Sequence, residues 1–541
     1  MPASDSIRAA DAIARRLYDQ GCRHAFGMPG GEVLTIVDAL EAAGITFVLC
    51  KHENAAGFMA EAAWHQTGAP GIMVATIGPG ILNGVNAIAN ALQDRVPLIV
   101  LSGCVDAAEA ETYTHQVLDQ QDVLRPLTKA SFRLAHDSAH VMADKAVAIA
   151  MEGRPGPVHI DVPISVADMQ IPAQPPARRS PALPVAPSGA ALATAREWLT
   201  SAARPVMIVG VDAMNEQAGT AVTEFATRFG IPVITTYKAK GLMDENHPLC
   251  LGGAGLSPLA DRHLSPLVEQ SDLVICVGYD PIEMRPGWRD IWDPRTKNVI
   301  DITAAPNHHY MHQASLSFVA DCTASLEALG REITPAPATW AQGQVDAVKS
   351  ALAAAFPRDD AWGPAAIIDT CRTLLPNDTI ATADSGAHRI LLSQMWTCSQ
   401  PRGLLQSSAL CTMGCALPLA MGTALCAPER TVVSFSGDAG CLMIAGELST
   451  AAELKIKPIF IVFVDASLAL IELKQRQRQL RNAAVEFGQH DFAAMGRAFG
   501  GAGHTATSRE ELEAALTTAQ AAETFSVIAC IIEKGAYDGR I

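Results

Sequence analysis

The sequence predicts an α/β protein made of three doubly wound units with mostly parallel sheets. Three observations carry that prediction. β-Branched, apolar runs of strand length alternate with helix-length amphipathic segments along most of the 541 residues. Pro-rich or aperiodic stretches at 171–190 and 335–365 divide the alternation into three blocks. Between residues 431 and 465 one complete βαβ unit can be read, with a carboxylate closing each of its two strands.

The first block, 1–170, opens with a helical pattern near Ser6–Gln20. Strand patterns follow near Phe47–Cys50, Ile72–Thr76, Leu98–Ser102 and Val158–Val162. The linker, 171–190, runs from Ile171-Pro172-Ala173 through Pro175-Pro176 to Pro187 and lacks the period that a helix or strand needs. The second block, 191–335, has strand patterns at Pro205–Gly210, Val233–Thr236, Leu273–Val277 and Asn298–Ile302.

The third block, 360–541, holds the βαβ unit. Thr431–Ser436 is β-branched and apolar, Gly437-Asp438-Ala439-Gly440 is a Gly-rich turn, and Met443–Lys455 has a helical pattern. Pro458–Val464 is a second buried strand and ends on Asp465, 27 residues after Asp438. Parallel sheets bind ligands at the carboxyl ends of their strands, where both acids fall. Two hard oxygen donors beside a turn with free N–H groups suit a divalent cation that grips a diphosphate. The plainer alternative is a nucleotide-type turn with a solvent-facing Asp.

Composition narrows the class. Hydrophobic residues make up 49% and charged residues 18%, the balance of a soluble globular protein. A formal net charge of −16 argues against nucleic acid or an anionic membrane as partner, while leaving small anions open through local patches. The 13 Cys show no metal-ligand spacing and read as small core residues in a reducing compartment. Met1 leads into a polar segment without a signal-peptide pattern, and no window approaches 18 apolar residues. A cytoplasmic protein without a membrane span is expected.

Further motifs accompany the βαβ unit in a fixed order. His52-Glu53 follows a strand and enters a helical pattern, where an acid at a helix start has an ordinary reading through the helix dipole. Gly78-Pro79-Gly80-Ile81-Leu82-Asn83, Asp384-Ser385-Gly386-Ala387-His388 and Ser407–Pro418 come next in chain order. Together with Gly437–Gly440 and Asp465 they resemble the motifs of thiamine diphosphate-dependent enzymes. The resemblance covers essentially the whole chain and implies pyrimidine-binding, middle and diphosphate-binding domains. It implies that Asp438, Asp465 and the carbonyl of Ser467 hold Mg²⁺ against the diphosphate. Glu53 would exchange a proton with the pyrimidine ring, and Gly386 and His388 would meet the diphosphate. Met413 would hold the two cofactor rings in a V, and the Cys411 carbonyl would accept from the amino group. Gly30, Gly78, Asn83, Gly437, Ala439, Gly440 and Leu468 complete the implied cofactor contacts. Two departures are visible: Ala439 replaces a Gly and Asp465 an Asn.

Within that family the chain is most similar to acetolactate synthase, especially the FAD-free catabolic type. Phe26-Gly27-Met28-Pro29-Gly30-Gly31-Glu32, residues 276–283, Val464-Asp465, and Val485–Gly488 with Asp491-Phe492 carry this likeness. His115-Gln116 resembles the synthase pair. A Gln cannot relay a proton as a second His does, which favours passing the acyl carbanion to another carbonyl over protonating it. The implied activity is a carboligase that decarboxylates a pyruvate-like 2-oxo acid, with Glu53, His115, Gln116 and Met413 as the catalytic group. The competing activity is a 2-oxo acid decarboxylase or 2-hydroxyketone lyase of the same fold. Lys129 matches a family position and reads equally as a surface lysine. The segment 466–474 departs from the family, and its basic helix Ile471–Gln479 reads as a solvated face or, through Lys474, as a contact for the acceptor carboxylate. The resemblance implies a homodimer at minimum and a homotetramer as the common form. FAD is not expected, since Val209-Gly210-Val211-Asp212 lacks the extra glycines of a dinucleotide loop, although this superfamily's FAD site is diffuse in sequence.

Overall fold

The computed structural model describes residues 6–335 and 340–541. Residues 1–5 of the first block and 336–339 of the second connection lie outside the described residues. Three six-stranded parallel sheets follow one another along the chain. Helices cover both faces, so the strands read as near-continuous apolar runs; Ile459–Val464 is buried at every position.

The first sheet has the spatial order Thr46–Leu49, His24–Met28, Gly71–Ala75, Leu98–Cys104, Val158–Pro163, Ala130–Arg133. The third repeats that pattern with Leu404–Gln406, Ile380–Ala383, Val432–Gly437, Ile459–Val464, Ser526–Ile531 and Ala502–Ala506. Numbered along the chain, both are 2-1-3-4-6-5. The central sheet runs Cys250–Gly253, Val233–Thr235, Pro205–Val209, Leu273–Val277, Asn298–Thr303, Leu316–Val319, or 3-2-1-4-5-6. Each order switches direction beside its first strand, and ligands of open α/β sheets bind in the crevice at such a switch. In the first sheet the crevice lies between the ends of His24–Met28 and Gly71–Ala75. In the third it lies between the ends of Ile380–Ala383 and Val432–Gly437.

The first and third sheets share a hydrophobic core that joins Met59, Met73 and Leu98 to Leu417, Phe460 and Phe525. Its spine is a helix pair, Glu53–Thr67 against Ala416–Cys426. The pair packs closely because Gly422 has no side chain; a Cβ there would stand 2.5 Å from the Met59 carbonyl oxygen. The amino-terminal segment departs from the predicted single helix. Ser6–Arg8 is a strand paired antiparallel with Gln170–Pro172, and the helix begins at Ala9. Ile171 and Pro172, read as linker, therefore belong to this ribbon. All 13 cysteines are free, and most are buried. Among the described residues no helix is long and apolar enough to cross a membrane.

Candidate active site

At the crevice of the third sheet a cavity of about 130 Å³ opens, walled by Gly386, His388, Met413, Asp438, Asp465 and Leu468 among others. Asp438 begins a helix, Asp438–Ile444, five residues earlier than the sequence pattern suggested. A second helix, Glu447–Leu454, follows after Ala445 and Gly446. The predicted single helix is thus two. Asp438 is the acid of that helix's first turn, and its Oδ1 accepts the Ala439 N–H at 2.8 Å. Its Oδ2 accepts the N–H groups of Ala466 at 2.7 Å and Asp465 at 3.2 Å. One side chain thereby ties the turn after the first βαβ strand to the end of the second.

Asp465 Oδ1 accepts the Ser467 N–H at 3.1 Å, and the Ser467 hydroxyl donates to Glu472 at 2.7 Å. Burial pushes both carboxyl groups up, Asp465 to about 7, with the charge of Asp438 adding to its rise. Among the described residues neither acid has a cationic side chain in ion-pair range, and no cluster of three or more His, Cys, Asp or Glu is assembled. The donor set is therefore two carboxylates with neighbouring backbone oxygens. Such hard oxygen ligands fit a divalent ion that keeps further positions for phosphate and water.

The rest of the cavity is largely apolar, with one buried polar atom free to meet a ligand. His388 is buried and neutral, its pKa pushed down to about 3 by burial, with Arg389 adding to the effect. Its Nε2 lacks a hydrogen-bond partner, and its ring stacks on Phe463 with centroids 5.4 Å apart. Gly386 and Gly437 flank that ring; Cβ atoms on them would meet it at 2.7 and 3.5 Å. An orphaned buried nitrogen at a cavity wall is ready for a ligand atom. Cys411 takes the left-handed conformation at φ 54°, and Met413 lines the cavity beyond it.

The remaining sequence-predicted residues gather at the crevice of the first sheet. Glu53 is the first residue of its helix, 4% exposed, and its Oε2 accepts from Asn83 Nδ2 at 3.0 Å. Gly80 lies against Glu53 Oε1, where a Cβ would stand 3.2 Å away. Gly78 has φ 66°, and a Cβ on it would be 2.6 Å from the carbonyl oxygen of Gln116, itself left-handed at φ 60°. This close approach brings the His115–Gln116 loop to the Gly78–Asn83 loop. Gly30 packs on Thr76, which also touches Gly80. Lys129 is not joined to this group: its ammonium donates to the Glu152 carbonyl at 2.7 Å, and burial pushes its pKa down to about 8.

The two clusters lie at different crevices of the chain. Glu53, Gly30, Gly78, Asn83, His115 and Gln116 are all absent from the wall of the cavity at Asp438. They are nevertheless held in register by side chains that the motifs did not reveal. Glu447 Oε1 accepts the N–H groups of Lys51 and His52 at 2.7 and 2.8 Å, just before Glu53. Asp94 accepts those of Ser408 and Ala409 at 3.1 and 3.0 Å, fixing the segment that carries Cys411 and Met413, and pairs with Lys238 at 2.8 Å. Tyr537 and Phe463 also line the cavity. Their only signal in the sequence is an acid or aromatic inside an apolar pattern, which is not specific.

Known proteins resemble this chain along nearly its whole length. The family description "Thiamine pyrophosphate enzyme, N-terminal TPP binding domain" matches residues 7–123, its central domain matches 192–329, and its C-terminal TPP binding domain matches 384–530. The catabolic acetolactate synthase of Raoultella terrigena is 29% identical over 537 residues, covering 97% of this chain and 95% of that protein. The acetolactate synthase of Bacillus subtilis (strain 168) is 30% identical over 527 residues, covering 95% and 91%. The large subunit of acetolactate synthase isozyme 1 of Escherichia coli (strain K12) is 31% identical over 500 residues, covering 91% and 88%. The chain belongs to the thiamine diphosphate enzyme family and is an enzyme of acetolactate synthase type.

Proposed function

We propose that this enzyme is a Mg²⁺-dependent carboligase that decarboxylates a pyruvate-like 2-oxo acid and transfers the acyl carbanion to a second carbonyl compound. Bound thiamine diphosphate supplies the nucleophilic carbon and the electron sink that decarboxylation needs. Asp438, Asp465 and the Ser467 carbonyl would hold the metal, and His388 would meet the diphosphate. Glu53, oriented by Asn83, would hold and return a proton at the pyrimidine ring nitrogen. Met413 would fill the space under the cofactor and keep its rings bent.

The observation that carries carboligation over simple decarboxylation is Gln116. It sits against Gly78 beside the Glu53 cluster, and its amide can orient a carboxylate or carbonyl but cannot deliver a proton. His115 is its neighbour on that loop. Separation of the two half-sites supports a homodimer as the minimum unit, Glu53 of one chain meeting cofactor held by Asp438 of its partner, with a homotetramer as the larger form. A cytoplasmic location fits the free cysteines.

Product analysis by NMR tests the reading, using enzyme incubated with pyruvate, thiamine diphosphate and Mg²⁺. Acetolactate is the expected product. Acetaldehyde alone would replace the carboligase with a decarboxylase of the same fold.

A further inference from the structure

A second cavity, of about 500 Å³, continues from the cofactor site and shares Ser385, Gly386 and Leu470 with it. Three cationic side chains from three elements line it: Arg285, Arg389 and Lys474. Arg389 is 4% exposed. Its guanidinium donates to the Ser407 carbonyl at 2.5 Å and to Cys411 Sγ at 3.1 Å, and it has no carboxylate in ion-pair range among the described residues. Arg285 donates to the Leu256 carbonyl at 2.8 Å; the acid it influences, Asp261, is occupied by the Gly255 N–H at 3.1 Å. Lys474 is exposed and likewise outside ion-pair range of any acid among the described residues. Its neighbour Arg476 differs, being paired with Asp538 at 2.7 Å on the solvent side. The basic helix is therefore a solvated face at Arg476 and a cavity wall at Lys474.

A buried guanidinium without a counter-ion is costly, and a site that keeps one gains when an anion arrives. The planar fork of Arg suits a carboxylate in particular. The single carboxylate of a simple 2-oxo acid would meet one such group and leave the half-buried Arg285 or the exposed Lys474 free to bind a further anion. We infer that the carbonyl substrate filling this cavity carries a second anionic group beyond its 2-oxo acid carboxylate, in the simplest case a second carboxylate. Its assignment as a substrate rests on the carboligase reading; the preference for a dianion does not.

The test uses full-length enzyme reconstituted with thiamine diphosphate and Mg²⁺, and two unreactive probes, glutarate and butyrate, measured by calorimetry. Glutarate should bind at least tenfold tighter, and Arg285→Ala with Lys474→Ala should abolish the difference. Lys474→Ala alone, on an exposed helix, should reduce the difference if the double variant does not fold. Equal binding of the probes, or a preference that survives the substitutions, would overturn the inference. In turnover with pyruvate as donor, 2-oxoglutarate should be consumed with a kcat/KM at least tenfold that of 2-oxobutyrate, and the reverse order would overturn it. Selective glutarate binding by an enzyme that consumes no 2-oxo acid would sink the carboligase reading and leave the anion site standing.

Discussion

Gly440→Ala isolates the close approach that shapes the cofactor turn. The added Cβ would stand 3.0 Å from Asp384 Cγ and well inside the radius of Oδ2. Relaxed carbon contacts lie at about 3.5–4.0 Å, so something must shift by at least about half an ångström. Asp384 cannot retreat freely: it is fully buried and its Oδ1 accepts the Cys415 N–H at 3.2 Å. The helix Asp438–Ile444 must yield, and it carries the Asp438 carboxylate. Overpacking of this kind costs about 1–3 kcal/mol, and a displacement near 1 Å at reacting groups costs roughly 100-fold in rate. Gly446→Ala is the control, since a Cβ there meets nothing within 4 Å. Thermal unfolding and cofactor titration by fluorescence quenching would be compared for both variants. Gly440→Ala should lose stability and weaken cofactor binding, and Gly446→Ala should stay within about 0.5 kcal/mol of the parent. Equal behaviour of the two would refute the reasoning.

Glu53→Gln should keep cofactor affinity and lower turnover by roughly 10²–10⁴-fold in steady-state assays; normal turnover would remove Glu53 from the proton path. Asp465→Ala should weaken Mg²⁺-dependent cofactor retention by at least the roughly 10- to 100-fold that outer-sphere partners cost, read by equilibrium dialysis. Unchanged retention would reassign the metal ligands. His65 is held neutral, its pKa pushed down to about 4 chiefly by burial. The unfolded chain takes up this proton near pH 6.5, so the folded state loses stability as pH falls from about 6.5 to 4. The loss totals about 3 kcal/mol for this group. Denaturant unfolding of His65→Gln across that range should lack the corresponding slope, and parallel curves for variant and parent would contradict the assignment.

The sheet scaffold was legible wherever a strand is buried on both faces. Leu273–Val277 and Ile459–Val464 are uninterrupted apolar runs, and their sequence boundaries lie within a residue of the observed ones. Short or mixed strands such as Leu404–Gln406 and Ala502–Ala506 carry no such run; they pair because neighbours offer an edge. The site motifs were legible because turns at strand ends demand particular residues, as Gly78 does by its left-handed backbone. Ala439 shows the converse. It is absent from the positive-φ residues, so the Gly usual there is dispensable, whereas Gly440 is required by Asp384. What stayed hidden are partners far apart in the chain. Asp94 lies 314 residues from the Ser408 N–H it accepts, and Glu447 lies 396 from Lys51. No local pattern encodes such distances.

Subunit complementation tests most directly whether the two half-sites come from different chains. Glu53→Gln and Asp438→Ala proteins, each inactive alone, would be dissociated, mixed in equal amounts and reassembled. Random pairing of a twofold dimer makes half the dimers mixed, each with one intact site of two, so about a quarter of the parent activity should return. A mixture as inactive as its components would contradict the shared site and put Glu53 and Asp438 to work within one chain.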